Sequence, residues 1–201
     1  MTRNVAIMIF DDVEVLDFCG PFEVFNVANH FSDTFFNVYL IAPEQRTILA
    51  RNGLKVIPDY DLIRAPEPDI LLIPGGRGTR PLLHNQAVID YIQQQAGRVE
   101  RLLSVCTGAY LLAKANLLDG LQATTHHTGF ELLAQLAPAA TLVRDVKYVD
   151  NGRIVLSGGI SAGINMSLYI VGQLLDGAVA QGTADYMEYD WQWSPESGQQ
   201  S

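Results

Sequence analysis

The sequence predicts an α/β architecture: a mostly parallel sheet sandwiched by helices. Three observations lead there. First, the apolar runs Val5–Phe10, Phe36–Ile41, Ile70–Ile73, Leu102–Val105 and Ile154–Leu156 are short and rich in Val, Ile and Leu. They are apolar on both faces, as strands covered on two sides must be. Second, segments of helical spacing lie between them, and strand–helix–strand repetition places successive strands side by side and parallel. Third, a chain of 201 residues that is 48% hydrophobic and 17% charged can bury one core without a disulfide or structural metal.

Taken in order, Val5–Phe10 follows a single Arg and precedes Asp11 and Asp12, with no small-residue cleavage site. It reads as a first strand and not as a signal peptide. Leu16–Asn29 has helical spacing, with Pro21 either in its first turn or marking a break. Further helices are expected over Gln86–Gln95, Thr107–Leu117, Phe130–Leu136, Ile164–Leu175 and Ala178–Tyr189. Residues 1–193 read as one domain. The run Ser194–Ser201 is polar, lacks an apolar anchor and is expected to be a flexible tail. Trp191 and Trp193 either bury in a partner copy or dock on their own domain.

Acidic residues number 22 against 13 basic ones, a formal charge of −9. Such a chain repels a phosphate backbone and an anionic membrane surface, so no nucleic acid and no membrane are expected as partners, and a small molecule is. No stretch approaches the roughly 20 apolar residues of a membrane span. Cys19 and Cys106 match neither a disulfide framework nor a zinc site, which suggests free thiols and a cytoplasmic location. His126 and His127 are adjacent. On extended backbone they would face opposite ways and make a poor metal clamp, leaving one to line a pocket or to serve a Cys–His pair. No metal site is expected.

In parallel sheets ligands bind beyond the carboxyl ends of the strands. The loops after Phe10, Ile73, Val105 and Leu156 are therefore the places to look. In Arg101–Lys114 (RLLSVCTGAYLLAK) Cys106 falls on a sharp strand-to-helix turn, with Gly108 giving the backbone room. Facing the unpaired N–H groups of a helix start, its thiol is expected to favour the thiolate, as in a nucleophile elbow. The competing reading is a buried structural cysteine. Gly75, Gly76 and Gly78 follow a strand and either present N–H groups to developing charge or form a plain tight turn. Asp17, between Leu16 and Phe18 and ahead of Gly20-Pro21, is either a buried proton shuttle or a helix N-cap. Glu23 is a further candidate for the site, whereas Asp11, Asp12 and Glu14 read as solvated and Cys19 as an apolar filler. The loop Leu156–Gly163 reads as a pocket wall at most, with Ser157 or Ser161 as a cap.

The segments VLDFCGPFEVF, LLIPGG, SVCTGAYLLAKANLLDGLQATTHH and SGGISAGINMSLYIVGQLLDGAVA together resemble the ThiJ/PfpI superfamily, over about Val5 to Tyr189. The resemblance implies a flavodoxin-like, class I glutamine amidotransferase-like fold. The likeness is to isonitrile hydratases and to the ligand-binding half of two-domain AraC-type regulators, which also carry SVCTG. Thr107 occupies the place of the His that follows the cysteine in protease- and amidase-like members. Asp17 matches the acidic residue of the LD-x-x-GP motif. A chain stopping at Ser201 is expected to lack the regulators' DNA-binding half.

What this resemblance implies is hydration of an isonitrile to an N-substituted formamide by a lyase. Cys106 would be the nucleophile, Asp17 the general acid and base, and Thr107 a holder of water or sulfur. Gly75, Gly76, Gly20, Phe18 and His126 would contact the substrate or its developing charge. The pocket is expected to be apolar, lined by residues such as Phe18, Phe22 or Tyr110 and not by clustered arginines. No cofactor is implied, and a homodimer is. The alternatives are a ligand- or redox-sensing domain without turnover, and a glyoxalase- or deglycase-type enzyme acting on 2-oxoaldehydes.

Overall fold

The computed structural model describes residues 2–33 and 35–194, with Phe35 described by its backbone alone. Apart from Ser194, the expected tail lies outside the described residues. In chain order the elements are β1 (Thr2–Met8), α1 (Val15–Ala28), β2 (Phe35–Ala42), β3 (Ile48–Leu49), β4 (Lys55–Val56), β5 (Tyr60–Asp61) and β6 (Ile70–Ile73). There follow α2 (Thr79–Leu82), α3 (Gln86–Ala96), β7 (Arg101–Val105), α4 (Ala109–Lys114), β8 (Gln122–Ala123), α5 (Phe130–Leu136) and β9 (Thr141–Leu142). The chain then runs through β10 (Tyr148–Asp150), β11 (Ile154–Ser157), α6 (Ala162–Leu174) and α7 (Gly177–Tyr186).

Seven of these strands form the main sheet in the order β10-β11-β7-β6-β1-β2-β5. All of its pairings are parallel except β10 with β11. The five apolar runs are its inner strands. β6 is buried at every position, as is β1 from Val5 to Met8, because helices cover both faces. Helices α1, α6 and α7 pack together as one layer, and α2 to α5 make contacts on the other. Among the described residues no helix is long and apolar enough to cross a membrane.

The chain leaves β1 toward β2 on one side, while β6 and β7 build out from β1 on the other. The reversal opens a crevice at the carboxyl ends of β1 and β6. Helix α1 passes through Pro21 without ending there. The short α2 and the small pairs β3–β4 and β8–β9 left no readable periodicity.

Both tryptophans dock on their own chain. Trp191 is buried. The Trp193 ring lies over Gly172 and Gly177 and stacks 6.1 Å from Tyr169. Gln181 ties the segment down, donating to the Trp191 carbonyl and accepting the Trp193 N–H, both at 3.1 Å.

Candidate active site

Four strand-end loops meet over the crevice. Val13 bridges to Gly76, and the Glu14 N–H donates to the Gly75 carbonyl at 2.9 Å. The Cys106 N–H donates to the Gly158 carbonyl at 3.0 Å, while the Thr125 hydroxyl donates to the Cys106 carbonyl at 2.8 Å. Clamped on both sides, Cys106 takes a left-handed φ of 57°. That conformation costs an L-residue of order 1–3 kcal/mol and persists only where surroundings enforce it. Its side chain is 6% exposed and lines a cavity of about 490 Å³.

Asp17 is completely buried in the first turn of α1, and Glu14, not Asp17, holds the N-cap position. Oδ2 accepts the Gly75 N–H at 2.9 Å. Oδ1 is buried without an aligned partner, and the Cys106 thiol and the Ile160 N–H are the polar groups beside the carboxyl. Burial, helped by the nearby Glu14 charge, raises its pKa from the ordinary 3.8 to about 7. Asp17 is therefore a buried acid in contact with the sulfur, and not a cap.

The sulfur differs from expectation. Burial and the Asp17 charge push the Cys106 thiol up to about 12, outweighing the neighbouring N–H groups of Thr107 and Ile160. Helix α4 is six residues long and reached through a tight 3-10 turn, so it offers little dipole to an anion. Near neutral pH the resting sulfur is a thiol, beside an acid that burial has raised to about 7.

Gly75 makes the contact possible. A Cβ there would lie 2.6 Å from the Thr107 nitrogen and 2.8 Å from both Asp17 Oδ2 and Cys106 Cβ. The Gly75 and Gly76 N–H groups are already engaged within the protein. The first is spent on Asp17, and the second donates to Thr107 Oγ1 at 3.0 Å. The Thr107 hydroxyl in turn donates to the Gly76 carbonyl at 3.1 Å, so it ties the two loops together.

Other expectations are corrected. Phe18 is buried in the core, and a Cβ on Gly20 would meet Ile164 of α6 at 2.9 Å, so both are packing residues. Tyr110 is fully buried with its hydroxyl donating to the Gly129 carbonyl at 3.0 Å. Ser157 donates to the Ser104 carbonyl, and Ser161 holds the N-cap position of α6 without a side-chain capping bond. Glu23 is exposed on α1. His126 lines the cavity, but its Nδ1 pairs with the Thr128 hydroxyl at 2.9 Å, and the carboxyl beside the thiol is Asp17. The turn at 126–129 brings the His126 and His127 rings within 4.2 Å of each other instead of splaying them.

Two features were missed. Ile160 has a φ of 55°, rare for a β-branched residue, and its N–H reaches both Asp17 and Cys106. The Gly158-Gly159 step before it was the available signal. The second is the wall of the cavity: Glu14, Arg51, Arg77 and Arg80 line it with Cys106, Thr107, His126 and Ile160. Arginines stand where an apolar lining was expected.

The isonitrile hydratase of Pseudomonas putida is 32% identical over 189 residues, covering 94% of this chain and 79% of that protein. The HTH-type transcriptional regulator GbdR of Pseudomonas aeruginosa is 26% identical over 172 residues, covering 85% of this chain, which spans 46% of the regulator's length. The fold superposes on a crystal structure of a ThiJ/PfpI family protein from Pseudomonas syringae with a TM-score of 0.86 at 23% identity, over 98% of this chain and 78% of that one. The DJ-1/PfpI family model matches residues 3–173, from the first strand to the end of the helix that follows Ile160, and the chain belongs to that family.

Proposed function

We propose that the protein hydrates isonitriles to N-substituted formamides. The observation that carries this reading is the buried Asp17 carboxyl in contact with the Cys106 thiol at the floor of an open cavity. It is supported by the likeness to an isonitrile hydratase. The ionised Asp17 takes the thiol proton as the sulfur attacks the terminal isonitrile carbon. It returns that proton to the same carbon, leaving a thioimidate, R–N=CH–S–Cys106. Asp17, again a carboxylate, then accepts a proton from the attacking water and passes it to the imine nitrogen, giving the tetrahedral adduct R–NH–CH(OH)–S–Cys106. Collapse of the adduct expels the sulfur, the hydroxyl proton passes through Asp17 to it, and R–NH–CHO is released. The sum is isonitrile plus water to formamide. The Ile160 and Thr107 N–H groups stabilise the sulfur whenever it carries charge.

Purified protein incubated with an aliphatic isonitrile is expected to yield the formamide by mass spectrometry, and Cys106→Ala none. Formamide from that variant at the wild-type rate would rule out the scheme. A ligand sensor is the second reading, favoured by a thiol kept protonated and by the regulator relative. It is distinguished by tight binding of a small molecule that is recovered unchanged.

A further inference from the structure

The cavity over Cys106 is cationic in a chain whose net charge is −9. Of its charged walls, Glu14 and Arg51 neutralise each other in an ion pair of 3.4 Å. Arg77 and Arg80 remain, and among the described residues neither has a carboxylate within ion-pair distance. Both are exposed at the mouth. The Arg80 guanidinium lies 5.8 Å from the Tyr110 ring centre. Arg80 and Cys106 line the same cavity.

Ile160 is the one aliphatic side chain of size lining the cavity. Two guanidiniums without carboxylate partners do fit an anionic substituent. A guanidinium offers a planar fork of donors that matches a carboxylate. Resting on the hydratase reading above, we propose that the substrate is an isocyano carboxylic acid. Its carboxylate is held by Arg77 and Arg80 while its isonitrile carbon reaches Cys106. Water adds across the isonitrile carbon and nitrogen, the carboxylate is unchanged, and the product is the N-formylamino acid.

The test compares isocyanoacetate with its ethyl ester, which has the same reacting group without the charge. The acid is expected to exceed the ester in kcat/KM by about 10- to 100-fold, the worth of charge-assisted hydrogen bonds. Arg77→Gln and Arg80→Gln should each shrink that ratio, and the double variant should bring it near unity, with circular dichroism confirming the fold. Titration of Cys106→Ala with acid and ester gives a readout that needs no turnover. Ester turned over as well as acid overturns the carboxylate proposal and leaves the hydratase reading intact. Arginine-dependent binding of the acid without turnover of either compound by the wild type overturns the hydratase reading, and with it the acid's role as substrate, and leaves only carboxylate capture by Arg77 and Arg80. Neither turnover nor binding overturns both.

Discussion

Asp17 and Cys106 lie side by side beneath the cavity, and this sets two expectations. The proposed chemistry needs the carboxylate as the base for the thiol, so kcat/KM should climb with pH through about 7 as Asp17 ionises. A pH–rate profile flat between pH 5 and 9 would contradict that assignment. The second expectation concerns stability. Folded Asp17 keeps its proton up to about 7, whereas the unfolded chain loses it near 3.8. The folded state binds more protons between these values, so this contribution is fully present below pH 4 and is lost as pH rises through 7. A shift of about three pH units corresponds to roughly 4 kcal/mol. Asp17→Asn should therefore be more stable than the wild type at pH 8, nearly equal to it at pH 4, and about 100-fold or more slower. Urea denaturation at the two pH values reads the first difference. Cys106 and Asp17 were legible because each sits beside a distinctive turn signal. The protonation of the thiol was not, since it depends on how deeply the sulfur is buried.

At the scale of elements, the strand ends matter more than the strands. The five apolar runs could be read directly, since burial on both faces leaves an unbroken Val/Ile/Leu pattern. The loops could only be nominated. Their mutual contacts, such as Gly75 with Asp17 and Ile160 with Cys106, join residues 58 and 54 positions apart and have no local signature. At Gly75 the backbone lies close to both the acid and the sulfur's residue. Gly75→Ala should cost about 1–3 kcal/mol through overpacking and should spread Asp17 from Cys106. Thermal unfolding measures the first effect and formamide production the second. Wild-type activity in this variant would mean that the acid and the sulfur need not touch. Helix α1 shows the opposite limit of local reading. Pro21 read as either a first-turn residue or a break, yet it lies inside the helix, with Val24, Phe25 and Ala28 buried beyond it.

For the molecule as a whole, net charge was a poor guide to the site. A formal −9 correctly describes the chain, but it averages over three arginines that arrive at one cavity from two separate segments of the chain. That concentration only exists after folding. Acidity elsewhere and cations at the mouth together form a field that draws an anion to one place, and salt should weaken it. For an anionic isonitrile, kcat/KM should fall several-fold between about 0.01 and 0.5 M ionic strength while that of a neutral one stays level. Equal salt responses would count against a role for the arginine field.

The docking of the carboxyl-terminal segment has an optical consequence. Both indoles of the chain gather near the end of α6 opposite Ile160, Trp193 over Gly172 and Trp191 close by, with ring centres 6.2 Å apart. Intrinsic fluorescence is therefore a gauge of that corner alone. It should stay silent when the cavity fills and change as soon as the segment peels from α6 and α7. If that peeling precedes melting of the sheet, emission will move at a lower denaturant concentration than the ellipticity does.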